Sequence, residues 1–165
     1  MKFAYFSVRI LKVMKYTVEI TINLPRKRVV EKMDNPQNLK HWQKGLVNYE
    51  IIEGAPGQEG SKMKLEYKMG KRDMTLIETI IKNNFPHEFH ATYDTKGVHN
   101  IQKNYFEEVN ETSTKWVSES EFQFSSLGMK LMGWLMPGAF KKQSKKYMVD
   151  FKNFAEKDIS VATKN

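Results

Sequence analysis

Polar and apolar residues alternate strictly from Tyr16 to Leu24, with Tyr16, Val18, Ile20, Ile22 and Leu24 on one parity and Thr17, Glu19, Thr21 and Asn23 on the other. A period of two belongs to a strand with one buried face. Pro25 ends it at a position that a first helical turn tolerates, so "RKRVVEKM" predicts a short helix with exposed charges rather than a basic targeting tract. Asn35-Pro36 restarts a second short helix, with Asn35 as cap and Pro36 at the first position, and places Leu39 and Trp42 on one side of it.

From Leu46 to Phe124 the pattern is strands and turns. "GLVNYEII" passes through the turn-rich "EGAPGQEG" into "SKMKLEYKM", where Met63, Leu65, Tyr67 and Met69 alternate with charged residues. "DMTLIETIIKNN" follows the turn "GKR" and is broken by Phe85-Pro86. "HEFHATYD" then runs to Lys96-Gly97, a two-residue hairpin loop into "VHNIQKNYFEEV". "NET" turns the chain into "STKWVSESEFQF", the last of six consecutive strands and the seventh in all. The final third changes period. Phe140, Ser144, Tyr147, Met148, Phe151, Phe154 and Ala155 recur at spacings of three and four, which predicts a long amphipathic helix. An apolar piece from Leu127 to Met136 precedes it and stops at Pro137-Gly138, and "DISVATKN" reads as a flexible tail over 158–165.

Composition narrows the class. A length of 165 residues suits one domain with a real core. The chain has no cysteine, which excludes disulfides, thiolate metal sites and thiol catalysis, and fits a reducing cytoplasm. No apolar run approaches the roughly 20 residues of a membrane-spanning helix. The opening "MKFAYFSVRILKV" has some features of a signal peptide, but Arg9 and Lys12 interrupt it and no small-residue cleavage site follows. Because the clean alternation begins just after Met14, that residue is an alternative start, residues 1–13 an extension of doubtful status, and 14–157 the domain. The net charge of +8 includes Lys2, Arg9 and Lys12 and reads as a lysine-rich solvated surface. Nucleic acid is not an expected partner. A transient contact of "KKQSKK" and the third-strand lysines with an anionic membrane is the alternative use of that charge, and would show affinity falling steeply with salt.

The order strand, two short helices, six antiparallel strands, long helix resembles the START/Bet v 1-like (SRPBCC) superfamily, in the branch called polyketide cyclase/dehydrase and lipid transport. The residues that carry the resemblance are the first strand ending at Pro25, Asp34 followed by Trp42, the turn "EGAPGQEGS", "NNFPHEF", and "GWLMPGAFKKQSKKYMVDFKNFAE". The resemblance implies an α+β helix-grip fold, in which a seven-stranded curved antiparallel sheet wraps the C-terminal helix around a ligand cavity. Most members resemble binding proteins rather than proven enzymes, and a fold does not fix a function.

Strand parity then proposes the lining. Val47, Tyr49 and Ile51, then Met63, Leu65, Tyr67 and Met69, then Phe89, Ala91 and Tyr93 would face the helix, with Tyr147 and Phe151 opposite. Ten methionines suit irregular apolar ligands. A two-residue loop at Lys96-Gly97 sets Phe89, Ala91 and Tyr93 opposite Asn104, Gln102 and Asn100, and a three-residue turn at "NET" brings Trp116, Ser118, Ser120 and Phe122 inward. Asn100, Gln102, Asn104, Ser118 and Ser120 would then form a polar stripe inside an apolar cup, requiring ordered water or a ligand with polar groups. A bulge would reverse that parity. Trp42 reads as packing at the cavity rim, with direct stacking on a ligand as the alternative.

Catalytic chemistry has weaker candidates. Glu78, in an apolar strand, is the carboxylate that burial would perturb. His87 and His90 point to opposite faces of a strand and make a poor metal pair, so no metal site and no cofactor are expected. His99 can reach Asp94 across the hairpin on the outer face. The sequence therefore points to a binding protein, monomeric or homodimeric, for a small hydrophobic or lipid-like molecule. A cyclase or hydratase using Glu78, His90 or His99 is the runner-up.

Overall fold

Alternation writes the first strand, β1 (Lys12–Ile22), into one edge of the sheet: Val18 and Ile22 are buried while Thr17, Glu19 and Thr21 face solvent. The computed structural model describes residues 12–126, 128, 131 and 136–162. Most of the extension expected over residues 1–13 lies outside the described residues, but Lys12 and Val13 already pair with Phe124 and Gln123 as part of β1. Most of the apolar piece expected over residues 127–136 also lies outside them.

After Pro25 come α1 (Arg26–Asp34), a single 3-10 turn (Pro36–Asn38) and α2 (Leu39–Trp42). The Asn35 side chain caps the turn by accepting from the Gln37 N–H at 3.0 Å. Six strands follow: β2 (Leu46–Glu53), β3 (Lys62–Met69), β4 (Arg72–Asn84), β5 (Glu88–Thr95), β6 (Val98–Asn110) and β7 (Ser113–Phe124). The long helix α3 (Pro137–Lys157) ends the fold, capped by Asp158 in the left-handed conformation. The sheet order is β1-β7-β6-β5-β4-β3-β2, antiparallel between all neighbours. Each consecutive pair from β2 to β7 is a hairpin, and β1 closes beside β7. No helix among the described residues is long and apolar enough to cross a membrane.

The core sits where α3 and the two short helices meet the inner face of the sheet. Met148, Phe151, Phe154 and Ala155 of α3 are buried against Val18 and Ile22 of β1, Val29 and Val30 of α1, and Phe106 and Trp116 of the sheet. Helix α3 also covers the free edge of β1. Lys145 and Lys152 donate from their ammonium groups to the Glu19 and Thr21 carbonyls, the second at 2.6 Å, and Glu156 accepts the Asn23 N–H at 2.6 Å. Beyond α3 the chain stays attached: Asp158 pairs with Lys32 at 2.9 Å, and the Val161 N–H donates to the His41 carbonyl at 3.0 Å.

Two details differ from the sequence pattern. The register shifts between Leu46 and Asn48, so Leu46 takes the inward place opposite Tyr67 and Val47 is 64% exposed instead of facing α3. A bulge reverses parity locally, and nothing in "GLVNYEII" announces it. The turn into β7 contains two residues, Glu111 and Thr112, not three; a second shift between Glu108 and Asn110 restores the parity that a three-residue turn would have given.

Candidate functional site

Between sheet and α3 lies a cavity of about 560 Å³. Its floor is the inner face of the strands, its roof is the N-terminal half of α3 with Phe140, Gln143, Ser144 and Tyr147, and one flank is the α1–α2 junction with Met33, Pro36 and Trp42. Strand β4 contributes Met74, Leu76, Glu78 and Ile80, and the loop after it contributes Phe85. These alternate positions of "DMTLIETII" share one parity, so the inward face of β4 is legible in its alternation.

The registers around the β5–β6 hairpin place most of the expected lining. Phe89 stands opposite Asn104, Ala91 opposite Gln102 and Tyr93 opposite Asn100. On β7, Ser118 and Ser120 stand opposite Asn104 and Gln102. Met63, Tyr67, Phe89, Tyr93, Asn100, Gln102, Asn104, Trp116, Ser118, Tyr147 and Trp42 all line the cavity. Leu65, Ala91 and Phe151 face the same way but are buried beneath the lining, and Tyr49 packs at the margin of the core. Ser120 lies under Tyr16, whose hydroxyl bonds both Ser120 and, at 2.9 Å, Ser144 of α3.

The polar stripe exists, and it is largely satisfied from within. The Gln102 amide donates to the Ser118 hydroxyl at 3.0 Å, Asn104 donates to the Phe89 carbonyl at 3.2 Å, and Asn100 donates to the Glu121 carbonyl at 3.2 Å. The Trp116 indole N–H donates to the Asn104 side-chain oxygen at 3.0 Å. The expectation that these amides require water or ligand is therefore corrected: cross-strand neighbours supply partners that parity alone does not show.

Trp42 stands edge-on to Phe151 at 5.3 Å and to Trp116 at 6.4 Å. Its indole N–H is buried with no hydrogen-bond partner among the described residues. The aromatic after the broken helix thus ties α2 to the core while one of its surfaces borders the cavity.

Glu78 is 9% exposed, lines the cavity and is hydrogen-bonded to the Tyr93 hydroxyl directly across the strand pair. Burial pushes its carboxyl above the ordinary range, and the hydrogen bond only partly counters this. Tyr67, whose hydroxyl donates to Gln43, and Tyr93 are held well above the ordinary phenol range, chiefly by burial. Asp34, at the rim, is also raised by burial.

The histidines lie elsewhere. His90 is on the outer face, edge-on to Tyr105 at 5.2 Å and 3.1 Å from the Glu88 carboxylate. His99 pairs outward with Asp94 at 2.6 Å, both side chains being more than a third exposed. Neither borders the cavity, which removes both from acid–base work there. Replacing His99 by Ala is expected to change stability by less than about 1 kcal/mol, as for other exposed ion pairs, in urea titrations followed by tryptophan fluorescence. A larger loss would mean that the hairpin depends on the pair.

A curved antiparallel sheet gripping a C-terminal helix over an apolar cavity defines the helix-grip class. Solved structures agree. The Zhui aromatase/cyclase from a Streptomyces species superposes with a TM-score of 0.73 at 11% identity, covering 93% of this chain and 100% of that one. Ara h 8.0201 gives 0.69 at 14% identity over 87% of this chain and 98% of its own. Norcoclaurine synthase from Thalictrum flavum, in complex with dopamine and hydroxybenzaldehyde, gives 0.65 at 12% identity over 87% of each chain. No protein-family model and no curated protein matches the sequence. The chain has the Bet v 1-like fold.

Proposed function

We propose that this protein binds a small hydrophobic or lipid-like molecule between the sheet and α3. The observation that carries this reading is the cavity itself. A space of about 560 Å³, walled by methionines, aromatics and aliphatics, persists where the core would otherwise close, and it lies within the ~300–1,000 Å³ range of small-molecule sites. Apolar side chains left uncovered by protein gain stability when an apolar molecule covers them, which supports an apolar occupant. Native mass spectrometry of freshly purified protein should show an added mass that disappears on denaturation, and the neutral dye Nile red should gain fluorescence on binding. Protein that carries no added mass and leaves the dye dark would sink this reading.

One observation favours a second reading. Glu78 is a buried carboxyl within the cavity and has a hydroxyl partner, an arrangement that can deliver or accept a proton in a cyclase- or hydratase-type reaction. Loss of turnover in Glu78→Gln, with binding of a neutral ligand kept, would distinguish catalysis from binding alone.

A further inference from the structure

The sequence carries 27 lysines and arginines and a net charge of +8. Among the described residues that line the cavity there is no lysine, arginine or histidine, while two carboxyl groups are there: Glu78 inside and Asp34 at the rim. A ligand carboxylate or phosphate drawn into this space would lose its hydration and find no cation to replace it. A ligand cation would meet the opposite situation. The Glu78 carboxyl is more than nine-tenths buried, is hydrogen-bonded to the Tyr93 hydroxyl, has Met63 opposite it on β3, and lies near the phenol of Tyr67, which in turn lies near Tyr147 on α3. Aromatic faces attract cations, most strongly where water is excluded.

We infer that the ligand is a hydrophobic molecule bearing a basic nitrogen, whose cation pairs with the Glu78 carboxylate in a cavity that also carries three tyrosines. This rests on the cavity-binding reading above and specifies the chemistry of the occupant. The groups near Glu78 are the hydroxyl of Tyr93 on β5 and that of Tyr67 on β3, with Tyr147 of α3 beyond Tyr67; none adds a positive charge that would compete with the ligand. The pH dependence follows. Burial raises the Glu78 carboxyl, so in acid it holds its proton and offers a cation no charge. As pH rises through that titration the carboxylate forms and amine affinity increases, falling again only when the amine itself deprotonates, near 10 for an alkylammonium.

The test is displacement of Nile red from the full chain by three molecules on one scaffold: naphthylmethylamine, naphthylmethanol and naphthoate. The amine should bind on the order of tenfold tighter than the alcohol, with naphthoate weakest. Glu78→Gln, close in shape, should bring the amine down to the level of the alcohol measured on the same variant. Amine affinity should also fall on acidification while that of the alcohol stays level. Alcohol or naphthoate binding as tightly as the amine would overturn the charge inference and leave cavity binding standing. An amine preference that survives in Glu78→Gln would overturn the role of Glu78. Failure of all three to displace the dye would overturn this inference, and failure of the dye itself to bind would take the cavity reading with it.

Discussion

Phe151→Ala is expected to destabilise the fold by about 3–5 kcal/mol, the usual cost of deleting a fully buried phenyl ring. The ring has no exposed surface and stands edge-on to Trp42 at 5.3 Å and to Trp116 at 5.5 Å, so it joins α3 to α2 and to β7 at one point. A domain of this size holds about 5–15 kcal/mol in total, so the variant should melt roughly 10 °C lower and populate the unfolded state measurably. Two of the chain's three tryptophans touch the ring, so fluorescence-detected urea unfolding reports the change directly. Ile52→Ala, at a side chain 47% exposed on β2, serves as the reference and should cost less than about 0.5 kcal/mol. A Phe151 loss no larger than that of the reference would refute the packing described for α3.

The second large effect concerns binding rather than stability. Leu76 lines the cavity from β4 opposite Leu65 and keeps part of its surface uncovered in the empty space. Leu76→Trp would fill volume that is already present, so it should leave the melting temperature unchanged or raise it. Occupying the ligand's place should weaken Nile red binding on the order of a hundredfold, about 2.7 kcal/mol. Affinity kept at the parental level in a folded Leu76→Trp protein would mean that the dye binds outside the cavity.

What the sequence disclosed, and what it withheld, follows from the range of each interaction. The alternation of Tyr16 to Leu24 and the loop at Lys96-Gly97 are local signals, and the registers opposite Asn100, Gln102 and Asn104 came directly from them. The inward place of Ser118 and Ser120 also followed, although the turn into β7 reaches that parity by a shorter loop and a bulge. Val47 was misplaced because a bulge depends on strand partners rather than on its own residue types. The hydrogen bonds that satisfy the polar stripe join residues 12 to 21 positions apart and emerge only when three strands lie together. The lining from Met33 and Pro36 was hidden for the same reason: composition does not say which side of a short helix a distant sheet will cover.

The ammonium groups that α3 lays along β1 bear on how molecules of this protein meet one another. An unpaired strand margin is a template on which another chain's strand can add, and repeated addition yields fibres. On the β1 side, carbonyls that would receive an incoming strand are already occupied by Lys145 and Lys152, and a free N–H by Glu156. On the opposite side, β2 carries register shifts near each end that bend it away from a flat partner. The fold can thus keep a cavity between sheet and helix without offering its margins as seeds for aggregation.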